Sequence, residues 1–377
     1  MNEPDLLIVG GGPAGLFTAI AARQQGLEVE LIDARTPPLD KACGEGLMPD
    51  GWRLLEAAGV TLPAPRLFGG ITYRSGPLQL SGRFPAGVAG AGVRRLRLHQ
   101  ALLARALAVG VRIDWGVRAL GLAGNAVKTS AGERRGRYLV GADGLHSKLR
   151  AWAGLAGKPA ATQRFGVRRH YAVAPWSDQV EVHWGPGVEA YVTPLGEQEL
   201  GVAFLWSGRK ASFDALLALF PALAERLEGA ARLSQDRGAG PLEQRVRGIS
   251  RGRLLLVGDA AGYLDAITGE GLSLAFHQGQ ALAEAVAAGR PELYPARSRQ
   301  LCRWPLRLTR ATLLLERHPA LRQRVFRAFA AAPELFETFL AVHCRCAPPA
   351  ALFAPGFLAR FLSRLLRASG AATAARI

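Results

Sequence analysis

Two glycine-rich segments and two acidic residues set the chemistry this sequence can attempt. The first segment, Gly10-Gly11-Gly12-Pro13-Ala14-Gly15, satisfies the spacing G-x-G-x-x-G. An apolar run, Leu6 to Val9, precedes it and a helical pattern, Pro13 to Gln25, follows it, so bare backbone N–H groups and a helix N-terminus would face a pyrophosphate. Asp33 closes the next alternating stretch, Glu28 to Asp33, eighteen residues beyond Gly15. A carboxylate placed there accepts hydrogen bonds from adenosine ribose hydroxyls, with Arg35 beside it. Strand, turn, helix and acid in that order predict a dinucleotide site built from Gly10, Gly12, Pro13, Ala14, Gly15, Asp33 and Arg35. The second segment begins where a buried-strand pattern, Arg253 to Val257, ends in Gly258-Asp259, and Thr268-Gly269-Glu270-Gly271 then opens a long helix. That helix N-terminus offers positive potential and unpaired N–H groups to an anion. The plainer alternative is a glycine turn with Asp259 as a local cap.

Lys41-Ala42-Cys43-Gly44-Glu45-Gly46 follows the second strand. No neighbouring His or Lys pair marks an activating partner for Cys43, so its surroundings in the chain suit a small buried hydrophobe. His183, Tyr191, His277 and Glu45 are the side chains to test first for acid–base roles, since the segments that carry them should border a cavity. A lone His on a strand is more often structural.

These residues need elements to hold them. Leu6 to Asp33 reads as one βαβ start, and a helix and strand recur around Leu96 to Ala108 and Val111 to Trp115. Val180 to Trp184, Glu189 to Thr193 and Leu200 to Trp206, separated by short turns, predict an antiparallel meander. The expected fold is α/β: a discontinuous Rossmann-type nucleotide-binding domain (1–72, 94–160 and 250–292), an inserted antiparallel-sheet substrate domain (73–93 and 161–249), and a basic helical C-terminal segment (293–377). The last segment should break at Pro319, Pro333, Pro348, Pro349 and Pro355.

Composition bounds the function classes. With 377 residues, 49% of them hydrophobic and 20% charged, the chain buries a substantial core and is not a disordered protein. The longest uncharged run, Leu6 to Ala22, carries glycines and a proline in its first half, which suits a strand–turn–helix and not a membrane span. An acidic start, Glu3 and Asp5, predicts a cytoplasmic chain without a secretory leader. Four cysteines, Cys43, Cys302, Cys344 and Cys346, make neither a disulfide framework nor a zinc spacing, so no metal is expected. The net charge of +17 is concentrated at the C-terminus, where residues 293–377 hold fourteen arginines against Glu316, Glu334 and Glu337. No nucleic-acid-binding motif accompanies that charge, which excludes nucleic acid as the expected partner and leaves an anionic membrane surface, an acidic carrier protein, or solvated arginine. Arg360, Arg364 and Arg367 fall on one face of a terminal helix whose other face carries Phe357, Leu358, Phe361, Leu362 and Leu365. Packing on the protein's own core is the expectation, with lipid contact as the alternative.

Three further segments resemble the para-hydroxybenzoate hydroxylase-type flavoprotein superfamily. Arg95-Leu96-Arg97-Leu98 with Leu102 resembles its R-x-x-L-x-x-x-L helix start, in which the Arg lies near the flavin. Gly141 to Arg150, with Asp143 and Gly144, resembles its Asp-Gly motif, associated with FAD and the reducing pyridine nucleotide. Arg253 to Ala261 resembles its Gly-Asp motif, whose Asp contacts the ribityl chain. With the first glycine segment these motifs run in family order across residues 8 to 280. The resemblance implies bound FAD, NAD(P)H as reductant, and flavin contacts from Arg95, Asp143, Gly144, Gly258, Asp259, Gly269, Glu270 and Gly271.

Three readings follow from the resemblance. A monooxygenase acting on a lipophilic aromatic, polyketide or isoprenoid substrate stands first, although Ala266 and Ser273 occupy places where such enzymes usually carry Pro and Asn. A reductase of carbon–carbon double bonds stands close behind. Cys43-Gly44 and Thr268 to Gly271 resemble geranylgeranyl reductase-like members, which implies a catalytic place for Cys43 beside the flavin or the substrate, whereas the lipid-pocket motif of that group survives only as Tyr191-Val192-Thr193-Pro194. The third reading is a flavin-free lipid carrier of the same fold, against which the intact first segment, Asp33 and Asp259 argue.

Overall fold

The computed structural model describes residues 3–160 and 163–370; residues 1–2, 161–162 and 371–377, at the edges of the expected segments, lie outside the described residues. Four apolar residues, Leu6–Val9, form the central strand of a six-stranded sheet. It pairs in parallel with Val29–Asp33 on one side and Tyr138–Gly141 on the other, and the sheet continues to Arg112–Trp115 and to Leu254–Leu256. Successive side chains of a strand point to opposite faces. Leu6 and Ile8 enter a core shared with the helices Pro13–Gln24, Arg95–Ala108 and Gly271–Ala287, while Leu7 and Val9 enter a second core beneath Val127 and Leu149. With both faces covered, the strand is an unbroken apolar run.

The helix Gly271–Ala287 lies directly on Pro13–Gln24. The Phe17 and Phe276 rings pack with centroids 4.7 Å apart, tilted by 31°, and a Cβ added to Gly279 would come within 2.6 Å of Thr18. This close packing joins two glycine segments that are about 250 residues apart in sequence. A Cβ added at Gly258 would lie 2.7 Å from that of Ala14.

The inserted domain is an eight-stranded sheet. Val180–Gly185, Val188–Gly196 and Glu199–Ser207 form the expected antiparallel meander. Five more strands join it, among them Arg164–Ala172, which the sequence did not mark, antiparallel to Glu199–Ser207, and Gly70–Ser75, around the alternating stretch Ile71 to Tyr73, which pairs in parallel with Val180–Gly185 and crosses the boundary expected at residue 72. One sheet face is covered by the short helices Phe213–Leu217 and Pro221–Arg226. The other meets the loop 262–270 and the helices Pro319–Ala330 and Pro333–His343, where Tyr73, Trp184, Phe326 and Phe336 pack with ring centroids about 6 Å apart. Pro319, Pro333 and Pro355 each begin a helix, where the fixed φ of proline suits the first turn, whereas Pro305 is carried inside Tyr294–Arg317.

Arg164 ties these parts together. Its buried guanidinium donates to Glu189 at 2.6 Å and to Asp265 at 2.8 Å, and Glu316 lies 3.6 Å away. One cation serves three carboxylates, and burial pushes Glu189 up from 4.5 to about 7 against the pull of Arg164. A carboxyl that binds its proton more tightly when folded stabilises the fold fully below its unfolded pKa, and that contribution is lost as pH rises through the folded value. Between roughly pH 5 and pH 8 the parent should therefore lose up to about 3 kcal/mol from this residue. Glu189→Gln is expected to flatten the decline of Tm with pH by that amount; parallel Tm–pH curves for parent and variant would remove the assignment.

Candidate active site

The dinucleotide cradle is built from glycines with different jobs. Gly10 sits at φ +119°, and a Cβ there would lie 2.3 Å from the Ala142 carbonyl oxygen. At Gly15 a Cβ would fall 1.8 Å from the Gly10 oxygen, and at Gly11 it would strike the Trp115 ring at 2.5 Å. Gly12 differs, because its nearest neighbour is Arg95 Nη2 at 4.0 Å, so it opens onto space. Asp33 is buried, accepting from the Gly11 N–H at 2.7 Å and from the Arg35 N–H at 2.8 Å, and the Arg35 guanidinium lies 3.6 Å away. From the Arg95 helix, His99 Nε2 reaches the Gly11 carbonyl at 2.9 Å. A carbonyl only accepts, so the proton is on Nε2, and His99 fixes the turn from below.

Asp143 accepts from the N–H groups of Lys148 at 2.7 Å and Leu149 at 3.2 Å, while its Oδ1 is buried without a partner. Gly144 has φ +82°, and Lys41 Nζ lies 2.8 Å from where its Cβ would be. Arg150 bridges the two motifs by donating to the carbonyls of Asp259 at 3.0 Å, Ala260 at 3.2 Å and Leu145 at 2.7 Å. The Asp259 carboxylate has no side-chain hydrogen bond among the described residues. Burial raises its pKa, opposed by Lys41, Arg95 and Arg150, which surround it with positive charge. Lys41, in turn, is pushed down by burial and held up by Asp259. Arg95 Nη1 is a buried donor without an acceptor. Lys41, His99 and Arg150 escaped the sequence reading, because a motif specifies residue types and not the partners that reach them from elsewhere.

The turn 266–271 leads into the Gly271 helix with Gly269 at φ +70°. Its carbonyls are held from outside: Tyr191 Oη donates to Ile267 O at 2.9 Å, and His343 Nε2 lies 3.1 Å from Thr268 O. Glu270 turns its carboxylate away toward His343, whose Nδ1 is 3.9 Å off, and burial raises the Glu270 pKa. The Gly269 N–H closes the turn by donating to Ala266 O at 2.9 Å, which leaves the N–H groups of Glu270 and Gly271 at the helix end, while the Glu270 side chain faces the C-terminal segment.

The structure separates the acid–base candidates. Tyr191 lies at the loop, its hydroxyl pKa raised well above the usual value by burial and then by Glu189. His183 points to the opposite face of the sheet, 3.0 Å from Glu181 and edge-on to Phe220, so it does not join Tyr191. His277 pairs with Asp50 at 3.0 Å, where Arg345 also binds at 3.3 Å. Glu45 stands in the left-handed region, φ 61°, with both oxygens engaged: Oε1 accepts from the Arg95 N–H at 2.7 Å, and Oε2 meets His170 Nε2. His170 is fully buried and its Nδ1 lies 2.8 Å from Ser234 Oγ. Glu45 thus positions the Cys43 turn against Arg95. Cys43 Sγ is 3.4 Å from the Glu45 N–H, and burial followed by the Glu45 charge raises its thiol pKa, so it is a thiol and not a thiolate at neutral pH.

Residues 3–290 match the model of a family described as FAD binding domain. The chain is 28% identical over 318 residues to a menaquinone reductase of Mycobacterium tuberculosis, covering 75% of this chain and 76% of that protein. It is also 28% identical over 306 residues to a digeranylgeranylglycerophospholipid reductase of Methanocella arvoryzae, covering 76% and 78%. Among solved structures, a flavoprotein/dehydrogenase from Cytophaga hutchinsonii superimposes with a TM-score of 0.78 over 91% of this chain and 93% of that one, at 19% identity, a likeness of fold.

Proposed function

This chain belongs to the FAD-binding-domain family, and from that premise we propose that it is an FAD-dependent reductase that saturates a carbon–carbon double bond in an isoprenoid or similarly lipophilic substrate, with NAD(P)H as electron source. The cradle fits the cofactor. An open Gly12, an unpartnered Asp259 carboxylate and a buried donor on Arg95 without an acceptor are groups that an extended nucleotide, with its phosphates and hydroxyls, would satisfy. The N–H groups of Gly12, Ala14 and Gly15 would hold the diphosphate, those of Gly10 and Gly11 being committed to Ile32 O and Asp33, while Asp33 would take the adenosine ribose and Asp259 the ribityl chain. Bound there, FAD supplies two-electron chemistry, carrying a hydride from nicotinamide to an electron-poor or polarised double bond.

The residues of the chain supply the rest. Saturation needs one hydride and one proton, and the Cys43 thiol is held protonated at the turn that Glu45 fixes beside Arg95. Its S–H bond breaks to give the proton to the carbon that does not take the hydride, and the sulfur regains a proton from solvent. Tyr191 fixes the loop, and the apolar sheet face with Trp184, Phe326 and Phe336 excludes water. Cys43 is the observation that carries a reductase ahead of an oxygenase, since oxygen transfer needs chiefly a dry pocket and no proton donor of this kind. The reductase names of the relatives support the same direction, and on these grounds we place the reductase ahead of the monooxygenase that stood first in the sequence analysis.

Anaerobic incubation of the reduced protein with a polyprenyl alkene is expected to yield a product richer by two hydrogens. Cys43→Ser should slow that step by about a hundredfold with flavin retention intact. A product that carries one oxygen and forms only in air would establish the monooxygenase instead.

A further inference from the structure

We propose that the terminal helix Pro355–Gly370 is a docking surface for an anionic lipid bilayer. One stripe of the helix faces the protein: Phe357 and Phe361 pack into the core, Phe361 against Phe329 with ring centroids 4.9 Å apart. The next stripe, Leu358, Leu362 and Leu366, is 37%, 51% and 73% exposed and runs at four-residue intervals along one line of the helix. Phe353, just before the helix, is 60% exposed. Of the eleven exposed large apolar side chains among the described residues, these four fall within fourteen consecutive positions, which is a patch and not the ordinary scatter of surface leucines.

The other flank of the same helix presents Arg360, Arg364 and Arg367, all exposed and none in an ion pair among the described residues. Arg324 and Arg327, on the helix beneath, are exposed as well. An acidic protein would answer the arginines but leave the leucine row in water. A second copy would cover the leucines but bring two chains of +17 together. An anionic bilayer answers both, with leucines entering the acyl boundary while arginine stems extend to the phosphates. This surface stands apart from the nucleotide cradle and does not depend on which reaction the chain performs.

Sedimentation of the full chain with sucrose-loaded vesicles tests it, using phosphatidylcholine alone or with roughly a third phosphatidylglycerol. The protein is expected to pellet with the anionic vesicles and not with the neutral ones, and binding should fall about tenfold or more as salt rises from about 0.05 M to about 0.5 M. Replacing Leu358, Leu362 and Leu366 together by Gln, which keeps helix propensity, should lower binding by at least about tenfold with an unchanged melting transition. Leu366→Gln alone, at the most exposed position of the row, should lower it about threefold without touching the core. Equal pelleting with both vesicle types, parent-like binding of the triple variant, or a dimer that the triple variant dissociates would each overturn the proposal.

Discussion

Asp259→Ala is expected to lose FAD affinity by about a hundredfold, ~3 kcal/mol, while folding as the parent does. Two effects of removing the carboxylate oppose each other. The variant loses a carboxylate with two acceptor oxygens for hydroxyl donors, and each hydrogen bond to a charged acceptor in a water-poor site contributes about 1.5–3 kcal/mol. It also leaves Lys41, Arg95 and Arg150 with one carboxylate fewer among them, which favours a bound diphosphate, but an attraction acting across several ångströms at an effective dielectric near that of a protein surface recovers only about 1 kcal/mol. The loss wins. The fold should not suffer, because burial already disfavours the ionised carboxyl and no side-chain hydrogen bond is broken. Asp259→Asn keeps an acceptor oxygen and should lose only about tenfold. Flavin absorbance retained after desalting, read beside the melting temperature, separates these outcomes; parent-like retention in Asp259→Ala would remove Asp259 from the site.

Gly12→Ala and Gly15→Ala, three residues apart in one turn, should fail in opposite ways. At Gly15 the new Cβ would sit 1.8 Å from the Gly10 oxygen, so strand and helix must part, at about 3 kcal/mol of stability or more. At Gly12 the backbone is extended, φ −75°, and the nearest atom is 4.0 Å away. The unliganded protein should accept that alanine with its melting temperature unchanged or slightly raised, since alanine narrows the unfolded ensemble. The same methyl would occupy the approach of a pyrophosphate to the amides, and FAD affinity should fall by at least about tenfold. Titration of apoprotein with FAD, paired with thermal melts of both variants, gives the four numbers needed. A Gly12→Ala protein that binds FAD as tightly as the parent would sink the cradle.

The parts of this fold that were legible in sequence are those where residue type and environment agree. Leu6–Val9 is apolar because both sheet faces are covered, and Gly10, Gly11 and Gly15 after it are required by contacts under 3 Å. Arg164–Ala172 breaks that agreement. It holds Arg164, Arg168, Arg169 and His170, the least strand-like and most solvent-seeking of stretches, yet each is at most 5% exposed. Each is buried only because a carboxylate comes from a distant segment: Glu189 and Asp265, Asp40, Asp214 and Asp236, and Glu45 respectively. Periodicity reads a residue against its neighbours in the chain, and here the deciding neighbours are up to 128 positions away. The same limit explains Glu45, which the sequence offered for acid–base work and the structure commits to holding a turn. It explains His99 and Arg150 too, whose roles are set by carbonyls in other motifs.

The interleaving of the nucleotide half has a consequence for biosynthesis. The fingerprint at residues 10–15 leaves the ribosome well before the helix that completes its cradle, which starts at Gly271 and packs on it with Phe276 and Gly279. At about 5–20 residues per second, the first glycine turn waits on the order of ten seconds or more for its other half. During that interval the whole inserted sheet is made, so a nascent chain halted before Gly258 would display the signature of a nucleotide-binding protein and be unable to hold a nucleotide.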